Sequence, residues 1–67
     1  MATDKMVELD YLKVRVRELE HAAAELYMRA LDKMPQYIID KMAGLQYALA
    51  DIQTALIQET RNVEGKG

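Results

Sequence analysis

The stretch of sequence that decides the fold is LDKMPQYIID, residues 31 to 40, which contains the single proline of the chain. A proline fits the first position of a helix, where its missing N–H removes no intrahelical hydrogen bond, and it disfavours helical geometry in the preceding residue. Pro35 therefore predicts that one helix stops near Met34 and that a second helix starts immediately afterwards.

The segments on both sides of this joint have the composition of long helices. Residues 4–33 contain neither glycine nor proline, and Thr3 or Asp4 can serve as the N-cap. The residues from 36 to about 62 are free of proline. We therefore predict an all-α chain with helices over about 4–33 and 36–62, followed by a frayed tail over 63–67.

A very short joint normally leaves two consecutive helices antiparallel and in contact. We therefore predict that residues 1–67 form a single domain, a two-helix antiparallel hairpin. The sequence leaves one alternative open, which is a single long helix kinked at Pro35.

The size of the chain predicts that the hairpin does not stand alone. A domain of this length buries only about 60% of the surface that its unfolded chain exposes, and small domains usually need disulfides, a metal or oligomerisation. The chain has 67 residues, of which 51% are hydrophobic, with no cysteine and one histidine. We therefore predict that it is its own partner, in a four-helix bundle or a larger helical oligomer.

The charge pattern favours a cytoplasmic protein without a nucleic-acid or membrane partner. The net charge is −2 and the isoelectric point is about 5.2, so no excess of positive charge attracts nucleic acid or anionic lipid. The N-terminal residues MATDKMVELD have no apolar signal core, and the chain has no apolar run long enough for a membrane span.

The first helix contains YLKVRVREL, residues 11 to 19, in which apolar and charged residues alternate as in a half-exposed strand. No second segment offers a strand with which it could pair. In a helix, the same residues continue an apolar row with spacings of three and four. This row places Leu9, Val16, Ala23 and Ala30 at position a of a heptad and Leu12, Leu19 and Leu26 at position d.

This heptad pattern leaves open a parallel coiled coil between the first helices of two copies. In that arrangement Glu8 would face Lys13, and Arg15 would face Glu20, and both pairs attract. The alternative is that these charges are solvated residues on the flanks of a hairpin helix.

The second helix is unusually apolar. Its central stretch MAGLQYALADIQTALIQ, residues 42 to 58, contains a single charge, Asp51. A helix of this kind needs contacts on more than one side, which one neighbouring helix cannot supply. We therefore predict an oligomer interface that combines residues of both helices: Ile38, Met42, Leu45, Leu49, Ile52, Leu56, Leu12, Val16, Leu19 and Leu26.

The motif Glu-x-x-His makes a metal-binding helical bundle an alternative function. Glu18 and His21 have the spacing that points two ligands from one helix face towards a metal, and Glu25 could join one turn later. In the heptad register these side chains face away from the a and d positions, whereas the metal of a bundle lies inside. We therefore expect no metal and no cofactor.

Two other classes of function receive less support from the sequence. The absence of cysteine and serine and the single histidine remove the common arrangements of nucleophile and base, so we expect no enzyme. Lys13, Arg15 and Arg17 would form a nucleic-acid stripe only on one face, but alternate positions are about 200° apart around a helix. A small nucleic-acid-associated regulator is therefore the weaker alternative.

Aromatic and methionine side chains concentrate around the joint. Tyrosine is favoured at binding hot spots, and methionine repacks readily around irregular partners. We predict a patch for a protein partner there, formed by Tyr27, Met28, Met34 and Tyr37. The alternative is that these residues cap the hydrophobic core where the helices meet.

Together these features predict a non-enzymatic protein-protein interaction module. The expected role is a self-associating helical hairpin that binds or sequesters a protein partner, as a small regulator, adaptor or co-chaperone. The plan of a short acidic hairpin with one apolar helix resembles several small bacterial or phage proteins that bind others, including co-chaperones of secretion-needle subunits. The resemblance is one of architecture and involves no diagnostic motif.

Overall fold

The computed structural model describes residues 3–65 and contains two helices, α1 (Asp4–Lys33) and α2 (Gln36–Gly65). The predicted all-helical hairpin is confirmed, and the molecule is an elongated rod of about 50 × 15 × 11 Å. α2 ends at Gly65, three residues beyond the predicted end near residue 62, and the predicted fraying over 63–67 stays a prediction. Val63 is half-buried one heptad after Leu56 and therefore lies on the α2 row that faces α1, while residues 66–67 lie outside the described part of the chain.

Thr3, and not Asp4, caps the start of α1. Thr3 has extended backbone geometry, and its side-chain hydroxyl accepts a hydrogen bond of 3.1 Å from the backbone N–H of Met6. This bond satisfies one of the N–H groups that have no partner within the helix. Asp4 in the first turn and Lys33 in the last turn add charges that complement the helix dipole.

The joint between the helices behaves as the proline predicts. Met34 leaves the helical region, with φ −101° and ψ 154°, although its N–H still donates to the carbonyl of Ala30. The carbonyl of Pro35 accepts hydrogen bonds from the N–H groups of Ile38 and Ile39, so Pro35 immediately precedes the first residue of α2. The helices then run side by side, which excludes one continuous kinked helix.

The contact between the two helices, called the seam below, has a narrow apolar centre. In α1 the buried residues are spaced seven apart, from Leu9 to Ala30, and in α2 the buried residues are Ile39 and Leu49. The central cluster consists of Val16, Ala23 and Leu49, and Leu56 packs against it. The remaining buried residues of α1 are small or terminal: Leu9 and Ala30. This core is thin, as expected for a domain of this size.

Polar side chains make up much of the rest of the seam. The half-buried residues that share it are Lys13 and Glu20 on α1 and Gln46, Gln53 and Thr60 on α2. The α2 row that faces α1 therefore contains two glutamines among four apolar residues: Ile39, Met42, Gln46, Leu49, Gln53 and Leu56. The antiparallel pairing keeps the polar flank of one helix beside the polar flank of the other.

This packing buries one of the two apolar positions in the α1 heptad and leaves the other exposed. The a positions, including Leu9 and Val16, are buried against α2, while the d positions stay exposed. A parallel coiled coil through both positions would require the hairpin to open, because α2 already covers the a positions. Lys13 and Glu20 are also half-buried on the seam, so they are not available as flanking charges of such a coil.

Candidate interaction face

An uncovered row of aliphatic side chains is the most distinctive surface of the hairpin. We call it the aliphatic face and define it as Leu12, Leu19 and Leu26 on α1 and Leu45 and Ile52 on α2. Their exposed fractions lie between 37% for Leu12 and 55% for Leu19. Half-buried Ile38 continues the α2 row towards the joint.

The two rows of the aliphatic face lie on the same side of the molecule. Lys5 lies one heptad before Leu12, and Glu59 lies one heptad after Ile52. Lys5 and Glu59 form an ion pair across the two helices, so their rows face each other along one flank. Residues seven apart stay on nearly the same side of a helix, which places Leu12 beside Ile52, Leu19 beside Leu45 and Leu26 beside Ile38.

The aliphatic face contrasts with the half-buried margin of the seam, although every fully buried residue of the seam is apolar. The seam contains Lys13, Glu20, Gln46 and Gln53, whereas the aliphatic face contains leucine and isoleucine alone. It extends about 21 Å along α1, from Leu12 to Leu26, at 1.5 Å per residue. An exposed aliphatic row of this length on a small protein is a candidate interaction site.

Charged residues at the two ends of the aliphatic face differ in sign. The open end of the hairpin carries Glu8 and Glu59 together with Lys5, while the joint end carries three cations: Arg29, Lys33 and Lys41. Glu8 and Arg29 are three heptads apart and therefore lie on one row, next to the leucines of α1. Arg15 and Ala22 lie between them on that row. The face therefore has one net negative charge at the open end, its acidic pole, and the three cations at the joint end, its basic pole.

The opposite flank of the hairpin has a shallow groove lined by both polar and apolar side chains. These include Lys13, Val14, Arg17, Gln53 and Ile57. The side-chain oxygen of Gln53 is buried and accepts no hydrogen bond from any described residue. Lys13 lies in this groove and contacts Asp10 at 3.5 Å. The groove therefore includes a polar group that is removed from water without compensation.

The ten residues predicted as an oligomer interface divide into two groups. Val16 and Leu49 are buried within the hairpin, and Met42 and Leu56 are half-buried on the seam. The other six residues are those of the aliphatic face and Ile38. An interface formed by a closed hairpin can therefore use the second group, and its use stays a prediction.

The residues considered for metal and nucleic-acid binding come together only in part, since Glu18, His21, Lys13 and Arg17 line the same shallow groove. Glu18 accepts a hydrogen bond of 3.1 Å from Arg15, and His21 and Glu25 are exposed on the outside of α1. No three acidic, histidine or cysteine side chains among residues 3–65 are grouped as metal ligands. Lys13 and Arg17 both line the groove on the opposite flank, whereas Arg15 lies about 200° from each of them around α1, so the three basic residues do not form one stripe.

The predicted partner patch around the joint is exposed in part. Met28 and Tyr37 are each 66% exposed and Met34 is 48% exposed. Tyr27 differs because it is half-buried, one heptad after Glu20 on the row that faces α2. The joint therefore presents methionine and tyrosine to solvent, whereas Tyr27 belongs to the seam.

Comparison with protein-family models, curated proteins and solved structures finds no significant match to this chain. Within residues 3–65, neither helix has an apolar stretch long enough to cross a membrane.

The sequence pattern already contained the leucines of the aliphatic face, but it did not separate them from the buried row. It also did not single out the charged poles. The sequence signal for the poles is the separation of three heptads between Glu8 and Arg29. This separation can be interpreted only when the leucine row beside them is known to be exposed.

Proposed function

We propose that this chain is a non-enzymatic protein-protein interaction module, a helical hairpin that self-associates through its aliphatic face and binds or sequesters a protein partner. The observation that carries the proposal is the exposed row of leucine and isoleucine side chains. It lies outside the hairpin, beside a seam whose half-buried positions include Lys13, Glu20, Gln46 and Gln53. A stable isolated hairpin would bury such a row in its own core.

The free energy of burying apolar side chains favours contact of the aliphatic face with another protein surface. Complete burial of a leucine or isoleucine side chain gains about 1.5–3 kcal/mol, so covering one that is half-exposed gains roughly 1 kcal/mol. Five such side chains on each of two copies would gain about 10 kcal/mol. This gain is of the same order as the free energy lost when association restricts translation and rotation, about 4–15 kcal/mol. We therefore expect a reversible dimer whose population depends on concentration.

The exposed residues around the joint are then available to bind a protein partner. Met28 and Tyr37 lie outside the aliphatic face and remain exposed when that face is covered. Their chemistry suits an adaptable apolar contact with another protein. The role of a small regulator, adaptor or co-chaperone follows from this combination of a self-associating core and an exposed patch.

The test of this function compares two neighbouring substitutions on α2. Leu45→Asp places a charge in the aliphatic face, whereas Tyr47→Asp places the same charge two residues later on a side chain that is 76% exposed on another side. Light scattering behind size exclusion gives the mass of each variant, and circular dichroism gives its helical content.

We expect the wild type and Tyr47→Asp to have twice the mass of 7.7 kDa and Leu45→Asp to have the mass of one chain. Leu45→Gln, which adds no charge, should give an intermediate result and separates association from a folding defect. Equal masses for all four proteins would contradict self-association through this face.

A further inference from the structure

We infer that the aliphatic face is covered by a second copy of this chain in one defined orientation, with α1 antiparallel on α1 of the second copy and α2 antiparallel on α2. The twofold axis crosses both helices at the level of Leu19 and Leu45. This inference rests on the proposed function and adds the geometry of the assembly.

The order of side chains along the face fits this symmetry. The α1 row is Leu12, Leu19 and Leu26, and the α2 row is Ile38, Leu45 and Ile52, so each row has the same sequence in both directions. A row that packs on its own reversed copy then places leucine on leucine and isoleucine on isoleucine. Leu19 and Leu45, which lie side by side, are the centres of the two rows.

The charges at the ends of the face favour the same orientation. Glu8 and Arg29 lie on one row at almost equal distances from Leu19, about 15 Å on either side. A twofold axis at Leu19 therefore brings Glu8 of each copy to Arg29 of the second copy. The acidic pole of one face then meets the basic pole of the other, which gives electrostatic complementarity at both ends.

The competing twofold arrangement lacks this complementarity. If the axis ran parallel to the helices, α1 would pack on α2 of the second copy and the two joints would lie at the same end. Arg29, Lys33 and Lys41 of one copy would then gather beside the same three cations of the other. Like charges in such an arrangement repel, so the antiparallel stacking of α1 on α1 is favoured.

The inferred dimer also separates the two partner patches. The joints lie at opposite ends of the four-helix bundle, so the exposed Met28 and Tyr37 of each copy are far apart. Such a dimer presents two equivalent binding ends and can engage two partner molecules.

Cysteine substitutions test the orientation directly, because the chain has no cysteine of its own. Leu19→Cys is expected to form a disulfide-linked dimer with itself under mild oxidation, since the two side chains meet on the axis. Leu12→Cys and Leu26→Cys should each cross-link poorly alone and efficiently when mixed. If Leu19→Cys instead cross-links only when it is mixed with Leu45→Cys, the inferred orientation is wrong although self-association holds.

A charge exchange supplies an independent readout in the unlinked protein. Glu8→Arg or Arg29→Glu alone should weaken the dimer about tenfold, and the two substitutions together should restore the wild-type dissociation constant. Glu25→Arg, on the exposed outside of α1, is the matched control and should leave association unchanged.

Sedimentation equilibrium of these variants distinguishes the two proposals. Failure of the double substitution to recover affinity, in a protein that still dimerises, would overturn the orientation alone. A wild-type mass of one chain at every concentration would overturn the proposed self-association and this inference with it.

Discussion

Lys5, the second residue of α1, forms an ion pair with Glu59 near the end of α2. This contact across the open end of the hairpin defines which flanks of the two helices lie together. The exposed leucines of α1 lie beside Leu45 and Ile52 of α2 on one flank, and the groove with Arg17 and Gln53 lies on the other. The aliphatic face is therefore a consequence of the antiparallel register.

The ion pair itself is expected to contribute little to stability. The two side chains are 60% and 38% exposed, and exposed pairs contribute about 0.2–1 kcal/mol. Lys5→Ala should therefore lower the free energy of unfolding by less than about 1 kcal/mol in a urea titration. A loss of several kcal/mol would mean that this contact, and not the apolar packing, holds the register.

Gly44→Ala is expected to stabilise the protein. A Cβ atom at Gly44 would meet nothing within 4 Å, and the backbone of this residue does not have positive φ. Alanine in a helix interior is more favourable than glycine by about 0.5–1 kcal/mol, and the melting temperature should rise accordingly.

Gly65→Ala is the matched control for this substitution, because Gly65 also has open space around its Cβ position but lies in the last turn of α2. Its effect should be smaller, since the ends of helices fray. A decrease in melting temperature for Gly44→Ala would indicate that another helix packs closely against this residue.

Gln53→Met is expected to stabilise the hairpin by about 1–2 kcal/mol. The substitution keeps the length of the side chain and removes a buried oxygen that has no hydrogen-bond donor among the described residues. Thermal unfolding measures the gain. Gln36→Met is the control, because the Gln36 amide donates to Asp40 at the surface, and it should give no gain.

Leu49→Ala and Leu45→Ala should have different effects although both remove the same atoms. Leu49 is 8% exposed and belongs to the central cluster, so its truncation should cost about 2–3 kcal/mol and reduce the helical signal in circular dichroism. Leu45 is 47% exposed, so its truncation should mainly raise the dissociation constant. Urea titrations at two protein concentrations separate these effects, and identical behaviour of both variants would contradict the assignment of seam and face.

The sequence was sufficient to predict the helices and their joint because local chemistry determines them. Pro35 ends the geometry of α1 through its effect on Met34, and Thr3 caps the helix with its own hydroxyl. The end of α2 was placed near residue 62, three residues before Gly65, because the half-burial of Val63 depends on tertiary packing and leaves no local signal.

The seam could not be predicted from α2 alone. The leucines and isoleucines suggested a row through Leu45 and Ile52, whereas the row that faces α1 contains Gln46 and Gln53. The choice depends on the partner helix, since Lys13 and Glu20 of α1 occupy the same seam. The polar flanks of the two helices pack beside each other, so the aliphatic residues stay on the outside. The periodicity of a single helix does not reveal this arrangement.

The most direct test of the account is the mass of the wild-type protein at equilibrium in a dilution series, measured by sedimentation. Self-association through the aliphatic face predicts twice the mass of 7.7 kDa at high concentration and a smooth decrease towards one chain on dilution. A folded chain that keeps the mass of a monomer at the highest concentration would contradict the central claim.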